Sequence, residues 1–275
     1  PVTVSSVTWS VNGNIGSINS SGLFDAATAG TGQVTAESSG ISDSTSDISV
    51  TPGALASFEV TPNTASLTAD ETEQFQVING QDADGNEVTV SSVTWSVNGD
   101  IGSINSSGLF DATTAGTGQV TAESSGISDS SGDITVSPGA LAFFEVTPDT
   151  ASLTADETEQ FQAINGQDAD GNTVTIDTVD WSVQNGIGTV DNSGLFNATT
   201  VGTGTVTAES SGVSDMSGTI TVTPGALASI EVSPQDVSLT VGDMQQFEVD
   251  GQDADGNDVE VSTVAMGCWA IVGDE

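Results

Sequence analysis

Through short stretches of this chain apolar residues return at every second position, and turn-forming residues separate the stretches. Between residues 53 and 138, Ala56, Phe58 and Val60 alternate with Ser57, Glu59 and Thr61. Phe75 and Val77 alternate with Gln74 and Gln76, and Val93, Trp95 and Val97 with Thr94 and Ser96. Val120 with Ala122, and Ile134 with Val136, continue the pattern. A period of two marks strands with one face in a core and the other in water. Asn79-Gly80, Asp84-Gly85-Asn86, Asn98-Gly99, Ser107-Gly108 and Ser125-Gly126 supply the turns between them. About seven or eight strands are predicted in this segment, none of it has a helical period, and the solution for such a pattern is a β-sandwich with a Trp in its core.

The pattern repeats. Trp9, Trp95 and Trp181 stand at one fixed interval, as do the Pro-Gly-Ala-Leu segments that begin at Pro52, Pro138 and Pro224. Residues 1–52 match residues 87–138 at 45 of 52 positions, which points to duplication of a whole unit. The chain therefore parses into a partial repeat (1–52), two whole repeats (53–138 and 139–224) and a partial repeat (225–275). Units of this size are domains, so the expected architecture is a tandem array and not a solenoid of small repeats.

Composition narrows the function. The chain has 275 residues, 39 of them acidic, and no Lys, Arg or His. Without Lys or Arg it has no phosphate clamp, no means of neutralising nucleic acid and no polybasic membrane patch. Without His it lacks Ser-His-Asp chemistry and ordinary zinc sites. Carboxylates and one thiol, Cys268, are the remaining catalytic groups. Three near-identical copies without long loops argue against a carboxylate-pair glycosidase, so no enzyme is expected. A net charge of −39 calls for metal cations as partners, not polyanions. A lone Cys makes no internal disulfide, and no apolar run is long enough to span a bilayer as a helix.

The ordered motifs carry a resemblance: Leu55-Ala-Ser-Phe-Glu-Val-Thr-Pro, Ser66-Leu-Thr-Ala-Asp-Glu-Thr-Glu-Gln-Phe-Gln, Asp82-Ala-Asp-Gly-Asn, Val93-Thr-Trp-Ser-Val and Gly102-Ser-Ile-Asn-Ser-Ser-Gly-Leu-Phe-Asp-Ala. They resemble the bacterial immunoglobulin-like domain, group 2, a module of intimin- and invasin-type adhesins and of surface-layer and cell-wall proteins. The resemblance runs over nearly the whole chain. It implies an immunoglobulin-like fold and an extracellular structural role, whether stalk, spacer or tip. The C-terminal end departs from the pattern: a deletion falls near Asp250, Met266 stands where the strand Trp is expected, and Ala265 to Trp269 follow no motif.

Three loops are candidate metal sites: Asp82, Asp84 and Asn86; Asp168, Asp170 and Asn172; Asp253, Asp255 and Asn257. Alternating carboxylate and amide oxygens suit calcium, which takes six to eight oxygen ligands. The same residues also suit a tight hairpin turn, since Asp and Asn tolerate left-handed backbone and Gly supplies positive φ. Asp70-Glu71 and Asp156-Glu157 mark a second acidic loop. The joint Thr51-Pro52-Gly53-Ala54-Leu55 has almost no spacer, so acidic loops of neighbouring domains should meet there, with calcium or a plain short linker between them. Asn19, Asn105 and Asn197 head Asn-x-Ser/Thr acceptor triplets and are expected in turns. The three Trp residues are expected in the core, not as sugar platforms.

The sequence thus predicts an all-β tandem array of immunoglobulin-like sandwiches: an extracellular rod or fibre at the cell surface, open to stiffening by calcium. It reads as an adhesin stalk whose partners are other surface components. A filament subunit is the alternative, with the incomplete ends of successive copies completing one another head to tail; a carbohydrate-binding module is the remaining one, against which the few aromatics and the absence of Tyr argue.

Overall fold

The computed structural model describes Val4 and residues 6–262. Met266, Cys268 and Trp269 lie outside them. The chain divides at Gly139/Ala140 into two units. No helix occurs among the described residues, and so none is long and apolar enough to cross a membrane.

In the first unit, residues 53–138 fold as a β-sandwich. The strand Gly116–Ser124 organises it by serving two partners in turn. Its first part, Gly116 to Gly118, lies antiparallel to Ile134–Ser137. Its second part pairs Thr94–Asn98 on one side, with Trp95 opposite Ala122, and Ile127–Ser130 on the other. Ile134–Ser137 also takes a parallel partner, Ala65–Thr68. Ser57–Thr61 pairs Gln76–Gln81 with a register shift between Ile78 and Gln81. Thr72–Gln74, Leu109–Ala112 and Gly102–Ile104 form a three-stranded sheet.

The period-two reading places most of the core: Phe58, Val60, Phe75, Val120, Ala122, Ile134 and Val136 turn inward, and Phe110, outside the alternating runs, joins them. Ala56, read as inward, is exposed at the start of its run. Phe75 and Phe110 meet edge to face with ring centres 6.2 Å apart, a favoured geometry for aromatic pairs. Trp95 is half-buried and packs against this cluster, while the fully buried aromatic centre is the Phe pair. The segment has ten strands, not seven or eight. The additional ones include Thr72–Gln74 and Gly102–Ile104, three residues each, too short to display an alternation. Ile101 is buried as well, with no alternating neighbours to announce it. It fits because Gly118 opposite has no side chain: a Cβ there would lie 2.8 Å from Ile101 Cδ1 and 2.4 Å from the Asn98 carbonyl oxygen.

Residues 6–52 repeat the C-terminal part of this plan, with Trp9 opposite Ala36 and Gly30–Ser38 pairing Thr8–Asn12, Ile41–Ser44 and Ile48–Val50.

The second unit holds the next sandwich. Phe144, Phe161, Phe196, Val206, Ile220 and Val222 form its core, and Phe161 meets Phe196 as Phe75 meets Phe110. Its long strand is interrupted at Thr205, into Gly202–Gly204 and Val206–Ser210. Beyond Gly225, Ser229–Ser233, Glu248–Gln252 and Asp258–Val259 form an antiparallel sheet.

Candidate functional site

The Asp-Ala-Asp-Gly-Asn loop is a hairpin turn that also closes a domain joint. Asp82 N–H donates to the Asn86 carbonyl at 3.0 Å, and Gly85 N–H to the Asp82 carbonyl at 3.1 Å. Gly85 takes φ +83°, the conformation for which the sequence supplies glycine.

The Asp82 side chain points inward and is 6 % exposed. Its Oδ1 accepts the backbone N–H of Asp84 (3.0 Å) and of Asn86 (2.8 Å). Its Oδ2 accepts the Asn86 side-chain amide (2.9 Å) and, from the joint itself, the Gly53 N–H (2.7 Å). Asn86 then reaches into the preceding repeat: its Oδ1 accepts the Ala29 N–H at 2.8 Å, and its Nδ2 donates to the Ala27 carbonyl at 3.1 Å. Two side chains thus fasten the linker and the neighbouring domain to one turn. Nothing in the sequence pattern names Ala27 or Ala29 as their partners.

Electrostatics follow the geometry. The Gly53 N–H, then the Asn86 side chain, lower the Asp82 pKa to about 2, with burial opposing them. The carboxylate is therefore ionised throughout the ordinary pH range, as charge-assisted hydrogen bonds require.

The second unit reproduces the clasp. Asp253 Oδ2 accepts the Gly225 N–H at 2.8 Å, Asn257 Oδ1 accepts the Val201 N–H at 3.0 Å, and Asn257 Nδ2 donates to the Thr199 carbonyl at 3.0 Å. Burial alone would raise the Asp253 pKa, but the bonds from Asn257, Gly225 and Asp255 bring it below the ordinary value. In the loop between them, Asp168 accepts the backbone N–H groups of Asp170 (3.1 Å) and Asn172 (2.8 Å) and the Asn172 side-chain amide (2.8 Å).

The buried carboxylate of each predicted metal loop therefore faces N–H donors. Among the described residues no three Asp, Glu or Cys side chains gather as a metal site would need. Acidic loops do meet at the joint of the second unit. Asp255 is held above the ordinary carboxylate value by burial, then by the charge of Asp156 and a hydrogen bond with it. Gly225 sits in this crowd: a Cβ there would lie 2.7 Å from Asp156 Oδ2. Glu71 and Glu157 instead close their own turns, each accepting the backbone N–H three residues back (Thr68 and Thr154) at 2.7 Å.

Of the acceptor triplets, Asn19 and Asn105 lie in exposed turns. Asn105 Oδ1 accepts both the N–H and the hydroxyl of Ser107, at 2.8 and 2.7 Å, and Asn19 does the same with Ser21. Asn197 does not lie in a turn. It sits within the strand Leu195–Ala198, facing Thr158 and Thr189 across the sheet. Leu195-Phe196-Asn197-Ala198 alternates outward and inward, and that short alternation is what the reading of the triplet overlooked.

Comparison with known proteins places this geometry in a family. A curated relative, Ice-binding protein 1 of Shewanella frigidimarina, is 30% identical over 270 residues, which are 95% of this chain and 30% of that protein. This chain thus spans less than a third of the relative's length. Among solved structures, domains 1–6 of the surface layer protein SbsC align over 92% of this chain and 39% of theirs, at 18% identity and a TM-score of 0.31. The four N-terminal immunoglobulin domains of Dscam1 align over 71% of this chain and 54% of theirs, at 12% identity and a TM-score of 0.31. Residues 54–131 and 140–222, two consecutive repeats, match the bacterial Ig-like domain (group 2), and the chain belongs to that family.

Proposed function

We propose that this chain is a spacing segment of a longer extracellular protein: tandem immunoglobulin-like domains that hold another part of that protein away from a cell surface. The observation that carries this reading is the clasp at Gly53 and Gly225. A flexible linker would leave neighbouring domains free to swivel. Here the linker N–H is bound by Asp82 or Asp253, and the preceding domain is bound by Asn86 or Asn257. Joints of this kind transmit position and force, which is what a spacer does. The role is structural, without catalysis. The acidic surface supports it by repelling parallel copies. The Shewanella relative is named for ice binding. We assign this chain the spacing and not the ice contact, because the exposed Glu37 and Glu123 stand opposite Thr8 and Thr94 on the outward face of their strands.

Backbone 15N relaxation of the whole chain tests the joint. Amides of Thr8–Asn12 and Gly30–Ser38 should report the same rotational correlation time as those of Gly116–Ser124. Faster, independent tumbling of residues 6–50 would refute the spacer reading. Labelling of intact source cells with an antibody to the chain tests the location, and signal only after permeabilisation would exclude the surface.

A further inference from the structure

The two whole repeats differ beside their Trp residues. In the first, Ser92 takes φ +56° ahead of the Trp strand, and the Ser124 hydroxyl, in a side chain 2% exposed, donates to the Ser91 carbonyl at 2.7 Å. In the second, the matching residue is Thr178, which is not in the left-handed region. A β-branched side chain is costly there, so the segment takes another course. The matching hydroxyl, Ser210, is 3% exposed and has no hydrogen-bond partner. Two further exchanges change the surroundings of Trp181: Val77 becomes Ala163, which removes bulk, and Ser91 becomes Asp177, which adds charge. A cleft of about 330 Å³ lies at this place, lined by Trp181, Phe161, Ala163, Ile176, Asp177 and Asn192 among others.

An indole and a carboxylate on the walls of one cleft suit an organic cation. The ring attracts positive charge, and the carboxylate pairs with it. A planar guanidinium serves both, since it stacks on aromatic rings and donates in a fork to carboxylates. The chain has no Lys, Arg or His of its own, so any such group must come from outside. With a net charge of −39 the protein also attracts cationic partners over distance. The cleft has room for one side chain.

We propose that this cleft in the second whole repeat docks an arginine side chain of a partner protein, with the guanidinium on Trp181 and bonded to Asp177. It adds a lateral attachment point to the spacer, and it does not depend on the clasp. The probe is arginine amide, titrated into the full chain and followed through the four Trp indole 15N–1H signals against potassium chloride of equal ionic strength. Arginine amide should move the Trp181 signal saturably, and Asp177→Ser, which installs the residue of the first repeat, should weaken the effect at least tenfold. The Trp95 signal should move little. Equal movement of Trp95 and Trp181, a response unchanged by Asp177→Ser, or no response beyond that to potassium chloride would overturn the proposal. So would a neutral sugar that moves Trp181 as strongly.

Discussion

Asn86→Ala removes the two hydrogen bonds that cross from one repeat to the next. The Ala29 N–H loses its acceptor at 2.8 Å, and the Ala27 carbonyl its donor at 3.1 Å. Each such bond contributes on the order of 1 kcal/mol net. The pair therefore holds the Ala27–Ala29 loop against local opening by about 2 kcal/mol, roughly a thirtyfold change in equilibrium, since about 1.4 kcal/mol is a factor of ten. Native-state hydrogen exchange reads this directly, because the Ala29 amide is itself a bonded donor. Its exchange should accelerate by about one to one and a half orders of magnitude in the variant. The Val120 amide, which donates to the Ser131 hydroxyl at 3.0 Å inside the neighbouring sandwich, should keep its rate. If Ala29 exchanges at the wild-type rate, Asn86 does not fasten the domains. If Val120 accelerates equally, the variant has destabilised the fold and not the joint.

Four further outcomes follow from the same geometry. Because the Asp82 pKa is lowered to about 2 in the folded state, its contribution is full above the ordinary carboxylate value of about 3.9 and is lost as pH falls towards 2. Urea melts between pH 5 and 2 should show this loss, and Asp82→Asn should remove that part of the pH dependence. Thr121 and Ser130 share a hydrogen bond of 2.7 Å across two strands, whereas Met216 faces Thr207 and leaves its hydroxyl without a partner. Met216→Ser should therefore stabilise the second unit by about 1 kcal/mol in denaturant unfolding. Gly118→Ala should destabilise the first unit by about 1–3 kcal/mol, because its Cβ would meet the Asn98 carbonyl and Ile101, and a melt unchanged from wild type would contradict that packing. Calcium should raise the melting temperature no more than magnesium at equal ionic strength, since the buried loop carboxylates are already bonded; a calcium-specific rise lost in Asp84→Ala would place an ion at the loop.

The fold was legible because the core is written in alternation. Phe58, Val60, Val120, Ala122, Ile134 and Val136 occupy the inward positions that the period of two assigns. Strands of three residues escaped it, and so did Ile101, whose burial depends on a glycine on another strand. The candidate site was half legible. Asp82, Asp84 and Asn86 were singled out by repetition and chemistry, and the turn was readable from Asp-Gly-Asn. Their partners were not. Backbone N–H and carbonyl groups at Gly53, Ala27 and Ala29 carry no side-chain signature, so sequence alone left hairpin and calcium as alternatives. Asn197 shows the reverse problem: a three-residue pattern predicted a turn, and the strand around it decided otherwise.

Single-molecule energy transfer across the Gly53 joint tests the central claim most directly. Dyes go on Cys residues introduced at the exposed positions Ser42 and Ser128, in a Cys268→Ser background. The account predicts one narrow efficiency distribution for the wild-type joint, broadened by Asn86→Ala. A broad wild-type distribution that Asn86→Ala leaves unchanged would contradict it.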